Sequence, residues 1–225
     1  MTTDDLILIP GGEFLMGQDD GRDEERPAHR VQVAPFRLCR FQVTNDDFAA
    51  FRQLDHCVGA LPVTSVNWFD AMDYCAWLSN VWQIPLRLPT EAEWEFAARG
   101  GLEQKLYPWG DDPVTTRASY AARWREGPEP VATSLPNGFG LYDMCENVHE
   151  WCSDWYDPRY YAVSPAENPQ GPTAGTRKSS RGGAWRHHIK IARCAARSSI
   201  PPDFRYADYG FRIAASPHGP AGHQK

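Results

Sequence analysis

The chain has 225 residues and is 42% hydrophobic, enough for one substantial core and too short for two comfortable domains. Its formal net charge of −6 is spread along the sequence without a Lys/Arg cluster, which excludes the electrostatic footprint of a nucleic-acid or anionic-membrane partner. Nine Trp, nine Tyr and ten Phe stand beside 18 Gly and 19 Pro, a balance that calls for aromatic blocks joined by many turns, not a helical bundle. One domain is expected over residues 1–215, with residues 216–225 a disordered tail. The N-terminus, Met1-Thr2-Thr3-Asp4-Asp5, has no cationic segment, and the apolar run Leu6 to Pro10 is shorter than a signal-peptide core or a membrane span, so a cytoplasmic location is expected. Six cysteines (Cys39, Cys57, Cys75, Cys145, Cys152, Cys194) are scattered with no CxxC pair or zinc-type Cys-His spacing, and buried free thiols are the reading.

In chain order, Leu6 to Gly17 predicts two short strands around the Gly11-Gly12 turn. Asp19, Asp20, Asp23, Glu24 and Glu25 then form an acidic run that reads as a solvated loop. Strands are expected over Arg30 to Val33 and Phe36 to Val43. At Thr44 the period changes: Thr44 offers an N-cap, Asp46 and Asp47 fill the first turn, and Phe48 and Phe51 follow at helical spacing. Behind a cap at Asn67, Trp68, Ala71, Met72, Cys75 and Leu78 form the apolar stripe of a second helix. Pro89-Thr90-Glu91-Ala92-Glu93 is a capping box opening a third helix that ends at Gly100, which gives its glutamates a structural role in place of paired-carboxylate catalysis. From Tyr107 onward, periodicity weakens and loops with short strands are expected. The class is α+β with sparse regular structure.

Several segments, taken in order, resemble the formylglycine-generating enzyme and sulfatase-modifying factor family. They include Ile9-Pro10-Gly11-Gly12-Glu13-Phe14, Glu25-Arg26-Pro27-Ala28-His29, Val43-Thr44-Asn45, Val66-Asn67-Trp68, Arg87-Leu88-Pro89-Thr90-Glu91-Ala92-Glu93-Trp94, Tyr107-Pro108-Trp109-Gly110, Asn137-Gly138-Phe139-Gly140-Leu141-Tyr142-Asp143, Glu150-Trp151, Arg181-Gly182-Gly183-Ala184-Trp185 and Gly210-Phe211-Arg212. The resemblance implies a C-type-lectin-like fold whose late loops carry a site on an aromatic scaffold. That fold hosts several functions, so activity must be argued from the site.

In the oxidase of the family that this chain resembles, two cysteines after the glycine doublet bind copper(I), for which soft thiolates are suited. The matching stretch here, Ala184 to Arg193, contains no cysteine; Ala184 stands where the oxidase has serine, and His149 where it has a tryptophan lining the oxygen pocket. Cys194 matches a family cysteine that is structural in the vertebrate enzyme, but its partner position falls in Ala97-Ala98. Copper-dependent oxidation of a sulfatase cysteine is therefore not expected. The resemblance places His149 and His187-His188 in segments that are neighbours in the family's cleft, and imidazoles converging there can bind iron(II), copper or zinc, with Glu146, Glu150 or Asp203 completing the set. Adjacent histidines in a strand face opposite ways, so one of His187 and His188 is expected to face the cleft.

The resemblance also carries over one calcium site, with Asp143 and Glu150 as side-chain ligands and the carbonyls of Glu146 and Val148 between them; the family's other calcium loop is abbreviated near Ala121 to Pro130. Arg193 and Arg197 are candidates to clamp a carboxylate or peptide carbonyl, with inner salt bridges the structural alternative. Two functions follow. One is a metal-dependent, oxygen-using modifying enzyme similar to the siderophore-maturation or sulfoxide-synthase branches. The other is a non-catalytic binding module, with Trp185, Arg186, His187, His188, Phe204, Arg205, Tyr206 and Tyr209 as its recognition surface for a protein, peptide or small-molecule ligand; retroelement-diversified binders of the family vary this same stretch.

Overall fold

The computed structural model describes residues 1–52, 59–112, 127–187 and 191–217. His188, Cys57, most of the loop near Ala121 and the tail beyond residue 217 lie outside them. Strands β1 (Leu6–Ile9) and β2 (Gly12–Met16) form as expected from the sequence, but they do not pair with each other. β1 pairs antiparallel with β4 (Phe36–Cys39), and β2 with β3 (His29–Val33). The reason lies at Gly11, whose φ is +67° and where a Cβ would meet the Val33 carbonyl oxygen at 2.5 Å. The glycine lets the chain cross closely over residues 33–35 and change sheets in place of turning back.

Thr44 caps α1 (Asn45–Ala49) through a reciprocal box with Asp47. Asn67 caps α2 (Trp68–Trp82) in the same way with Asp70. The buried stripe of α2 includes Ala71, Cys75 and Leu78 as expected, and also Tyr74, which the spacing did not single out. β5 (Leu86–Arg87) leads into α3 (Glu91–Arg99), capped by the Thr90 and Glu93 box and closed by Gly100 at φ +58°. Every residue of α3 is buried. Four strands of the second half follow: β6 (His149–Trp155), β7 (Lys178–Arg181), β8 (Arg197–Ile200) and β9 (Tyr209–Gly210), with β10 (Ala214–Ala215) returning to the first sheet. Among the described residues, the sheets run β1-β4-β10-β5, β2-β3 and β8-β7-β6-β9, the β6–β9 pair being parallel.

Two apolar clusters fill the interior. One packs Phe14, Phe36, Trp94 and Phe96 between the N-terminal strands and α3; the other packs Phe48, Tyr74, Trp151 and Phe211 beneath α1 and α2. Against the first of them packs a buried ionic frame, with Arg181 over the Trp94 ring and Arg197 over Tyr161. Arg181 donates to Glu91 and Glu95, Arg197 donates to Glu91 at 2.7 and 3.0 Å, and Arg99 holds Glu95 at 2.6 Å. The capping box thus accounts for Glu93, while Glu91 and Glu95 are inward-facing partners of arginines from distant strands. The acidic run is corrected at Glu25, which is fully buried because both its oxygens accept from Arg193, at 2.6 and 2.9 Å. The five described cysteines are free and buried. No helix among the described residues is long and apolar enough to cross a membrane.

Candidate functional site

The parallel pairing of β6 with β9 sets His149 opposite Tyr209 and brings Asp208 alongside, where the Asp208 carbonyl accepts the His149 backbone N–H at 2.8 Å. The third element is the loop after β7. Gly183, at φ +67°, packs against Ala192, where a Cβ would come within 2.7 Å. The chain therefore folds back sharply, and the His187 N–H closes a turn on the Ala184 carbonyl. His187 is delivered over His149, with His187 Nδ1 2.9 Å from His149 Nε2. His187 Nε2 lies 3.4 Å from Asp208 Oδ2, and Arg186 Nη2 donates to Asp208 Oδ1 at 2.6 Å. One ligand atom from each of His149, His187 and Asp208 can be chosen so that all lie within 4.8 Å of one another.

The electrostatics of this cluster follow from burial. His149 is 3% exposed, with Tyr209 stacked on its ring at 4.7 Å. Burial, with the His187 and Arg186 charges adding to it, pushes its pKa down to about 3, so the ring is neutral and has a lone pair to offer. His187 is half-buried and also shifted down, by burial first, with Asp208 opposing and Arg186 reinforcing. Two buried polar atoms here lack a well-formed hydrogen bond: His149 Nδ1, which faces the Arg181 backbone, and Asp208 Oδ2. Buried polar atoms are normally paired, so a group of unfinished ones marks a place built for something further.

The other expected residues separate into frame and surface. Arg193 and Arg197 are ion-pair partners of Glu25 and Glu91, as the structural alternative required, and Arg197 also lies over the Tyr161 ring at 4.1 Å. Arg205 is tied to Asp70, at 2.7 and 3.0 Å. Tyr209 is buried against His149 and is no surface residue, whereas Phe204 and Tyr206 are 46% and 41% exposed, with ring centroids 6.1 Å apart. Asp203 is exposed and takes no part in the histidine cluster. Asp208 takes its place, and sequence reasoning missed it; its signal was an acidic residue directly before Tyr209-Gly210-Phe211-Arg212.

In the turn before β6, the carbonyls of Asp143 and Glu146 and the Glu150 Oε1 all lie within 3.4 Å of one atom, Gln42 Nε2. Gln42, adjacent to the Val43-Thr44-Asn45 motif, is a second residue the sequence did not single out. Glu150 also accepts from Arg212 at 2.6 and 2.7 Å and from Trp94 Nε1 at 2.7 Å. The Asp143 carboxylate accepts from the Ala132 N–H, and burial raises its pKa to about 6. The Val148 carbonyl faces Gly182 of the neighbouring segment.

A sequence model described as the sulfatase-modifying factor enzyme 1-like domain matches residues 1–217. The chain belongs to this family, and its fold is the α+β, C-type-lectin-like fold expected from the sequence. It is 34% identical to the formylglycine-generating enzyme of Streptomyces coelicolor, covering 92% of this chain and 88% of that protein. It is 32% identical to the mouse formylglycine-generating enzyme, covering 93% and 74%. Among solved structures, PvdO from Pseudomonas aeruginosa superposes with a TM-score of 0.83 at 26% identity, covering 94% of each chain.

Proposed function

We propose that this chain is a metal-dependent, oxygen-using modifying enzyme whose metal is held by His149, His187 and Asp208, in place of the family's thiolate pair. The observation that carries the reading is the approach of two imidazole nitrogens to 2.9 Å beside a buried carboxylate. Two nitrogens bound cis to one metal at about 2.1 Å lie about 3 Å apart. Two histidines and one carboxylate, leaving other positions open, are the ligand set of non-haem iron(II) oxygenases. The copper(I)–thiolate arrangement does not fit: residues 184–193 contain no cysteine, and the described cysteines are buried.

When bound, iron(II) would supply open coordination positions at which dioxygen can be activated. The chain's own residues do the positioning. Arg186 holds Asp208 Oδ1 and leaves Oδ2 free to turn toward the histidines. Tyr209 fixes the plane of the His149 ring from one side, its hydroxyl in reach of Ser180 and Ser198, both at 3.3 Å. Such outer contacts orient ligands and tune their basicity. The modifying chemistry belongs with the siderophore-maturation or sulfoxide-synthase type.

Calcium belongs to the same reading. The oxygens of Asp143, Glu146 and Glu150 suit a hard cation in donor type. The ion would be held there once the Gln42 amide turns to present its oxygen and in competition with Arg212, which already balances the Glu150 charge. A second reading, a binding module for a protein or peptide, is favoured by the exposed neighbours Phe204 and Tyr206.

Anaerobic reconstitution with ferrous iron, followed by elemental analysis, tests the proposal. About one iron per chain is expected for the wild type, with the occupancy lost in His149→Ala and in Asp208→Asn while circular dichroism stays native. A wild type that retains calcium but no transition metal sinks the enzyme reading and leaves the binding module.

A further inference from the structure

We propose that Cys145 and Cys194 are a site of reversible disulfide cross-linking that staples the segment leading to His149 onto the segment following His187. The two sulfur atoms lie 3.8 Å apart, in contact, although the residues are 49 positions apart in sequence. Cys145 sits in the tight turn before β6, four residues ahead of His149, with φ +67° and its side chain fully buried. Cys194 closes the loop that carries His187, seven residues further on. Its backbone is pinned on both sides: the N–H donates to the Leu106 carbonyl at 2.8 Å, and its carbonyl accepts from Arg181 at 2.6 Å. Two thiols already in contact, one of them on a backbone held this firmly, need only a closer approach of their sulfurs to reach a bond of about 2.05 Å.

The other described cysteines have no such neighbour. Cys39 and Cys75 lie in the apolar core, where burial pushes both thiols up to about 12, and the Cys152 sulfur lies 3.9 Å from the Glu150 carbonyl. The pair is therefore a particular juxtaposition, not a general consequence of buried cysteine.

The chemistry balances with a low-molecular-weight disulfide as oxidant. One thiol loses its proton and attacks that disulfide, releasing one small thiol and leaving a mixed disulfide. The second cysteine then attacks the protein-borne sulfur, loses its own proton and releases the second small thiol. Two electrons pass to the small disulfide, and one S–S bond replaces another. Burial raises the Cys145 thiol well above its ordinary value, so reaction proceeds through local opening of the turn or the loop and is slow in the native state.

The test is to incubate the full chain with oxidised glutathione, with and without urea below the unfolding transition, and to map the peptides under non-reducing conditions. A Cys145–Cys194 linked peptide is expected, forming faster as urea is added and disappearing with dithiothreitol. The oxidised protein should melt about 5–15 °C higher than the reduced one, since the bond closes a long loop in the unfolded chain. Cys145→Ser or Cys194→Ser abolishes the shift, whereas Cys152→Ser retains it. Only glutathionylated single cysteines, or a link to a different cysteine such as Cys57, would overturn the assignment. Because the mapping is done on the wild type, the result stands even where a serine variant fails to fold.

Discussion

The ion pairs around α3 and the histidine cluster at the start of β6 are made from the same kinds of buried polar group, yet they are finished differently. In the α3 frame, Glu91 receives both Arg181 and Arg197, and Glu95 receives Arg99, Arg181 and the Gly17 N–H. Each carboxylate is saturated, and Arg181 Nε is the exception on the donor side. In the cluster, a histidine nitrogen and a carboxylate oxygen are buried without good partners. A frame gains from complete pairing, because each unpaired buried charge costs several kcal/mol. A site that must receive something cannot be complete beforehand. The difference separates the residues that hold this molecule together from those that act.

The comparison breaks first if the frame turns out not to matter. Glu91→Leu leaves Arg197 without a carboxylate and Arg181 with only Glu95. Removing one partner of a buried pair costs about 3–5 kcal/mol, and equilibrium urea unfolding should read that loss. A loss below about 1 kcal/mol would mean that the arginines re-pair and that α3 is held by apolar packing alone.

The pH dependence sharpens it next, because two neighbouring carboxylates pull in opposite directions. Burial raises the Glu91 pKa, but Arg197 and Arg181 outweigh it and bring the pKa down to about 2. Its contribution to stability is complete above the ordinary carboxylate range and is lost as pH falls toward 2. Asp154, which accepts from the Glu91 N–H at 2.9 Å, is raised to about 7 by burial, with the Glu91 charge adding to it. Its contribution is complete below its unfolded value and is lost as pH rises through about 7. Asp154→Asn keeps the acceptor and removes the titration. It should be more stable than the wild type at pH 8 and about equal to it near pH 4, by thermal melts in matched buffers. A variant weaker at both pH values would show that the charge of Asp154, beside Lys178, is needed.

How much of this was legible in the sequence depends on the range of the interaction. The caps at Thr44, Asn67 and Thr90 are local, three residues long, and each forms where its motif stands. The pairing of β1 was not legible, since a Gly-Gly doublet reads as a hairpin turn unless the strand it crosses is known. Glu25 looked solvated because it closes a run in which four acidic residues precede it, and its arginine lies 168 positions away. His149 and His187 stood out as departures from the family's pattern, but Asp208 reaches them only through the parallel β6–β9 pairing, which no local spacing encodes. Gln42 was hidden for the same reason, 101 to 108 positions from the oxygens it touches.

The smallest expected effect is the sharpest test of the division between frame and site. His187→Ala removes a half-buried ring whose contacts are His149 and an ill-aligned Asp208 oxygen. It leaves no buried charge stranded, since Arg186 still pairs with Asp208. Leaving the buried His149 Nε2 unpaired costs about 1–3 kcal/mol, less than the loss expected at Glu91, so the urea midpoint should move less than in Glu91→Leu while iron occupancy falls. A large loss of stability without loss of metal would reverse the assignment, making His187 a strut of the loop and placing the ion elsewhere. The two readouts come from one preparation, and only a metal ligand empties the site at a cost in stability below that of breaking the frame.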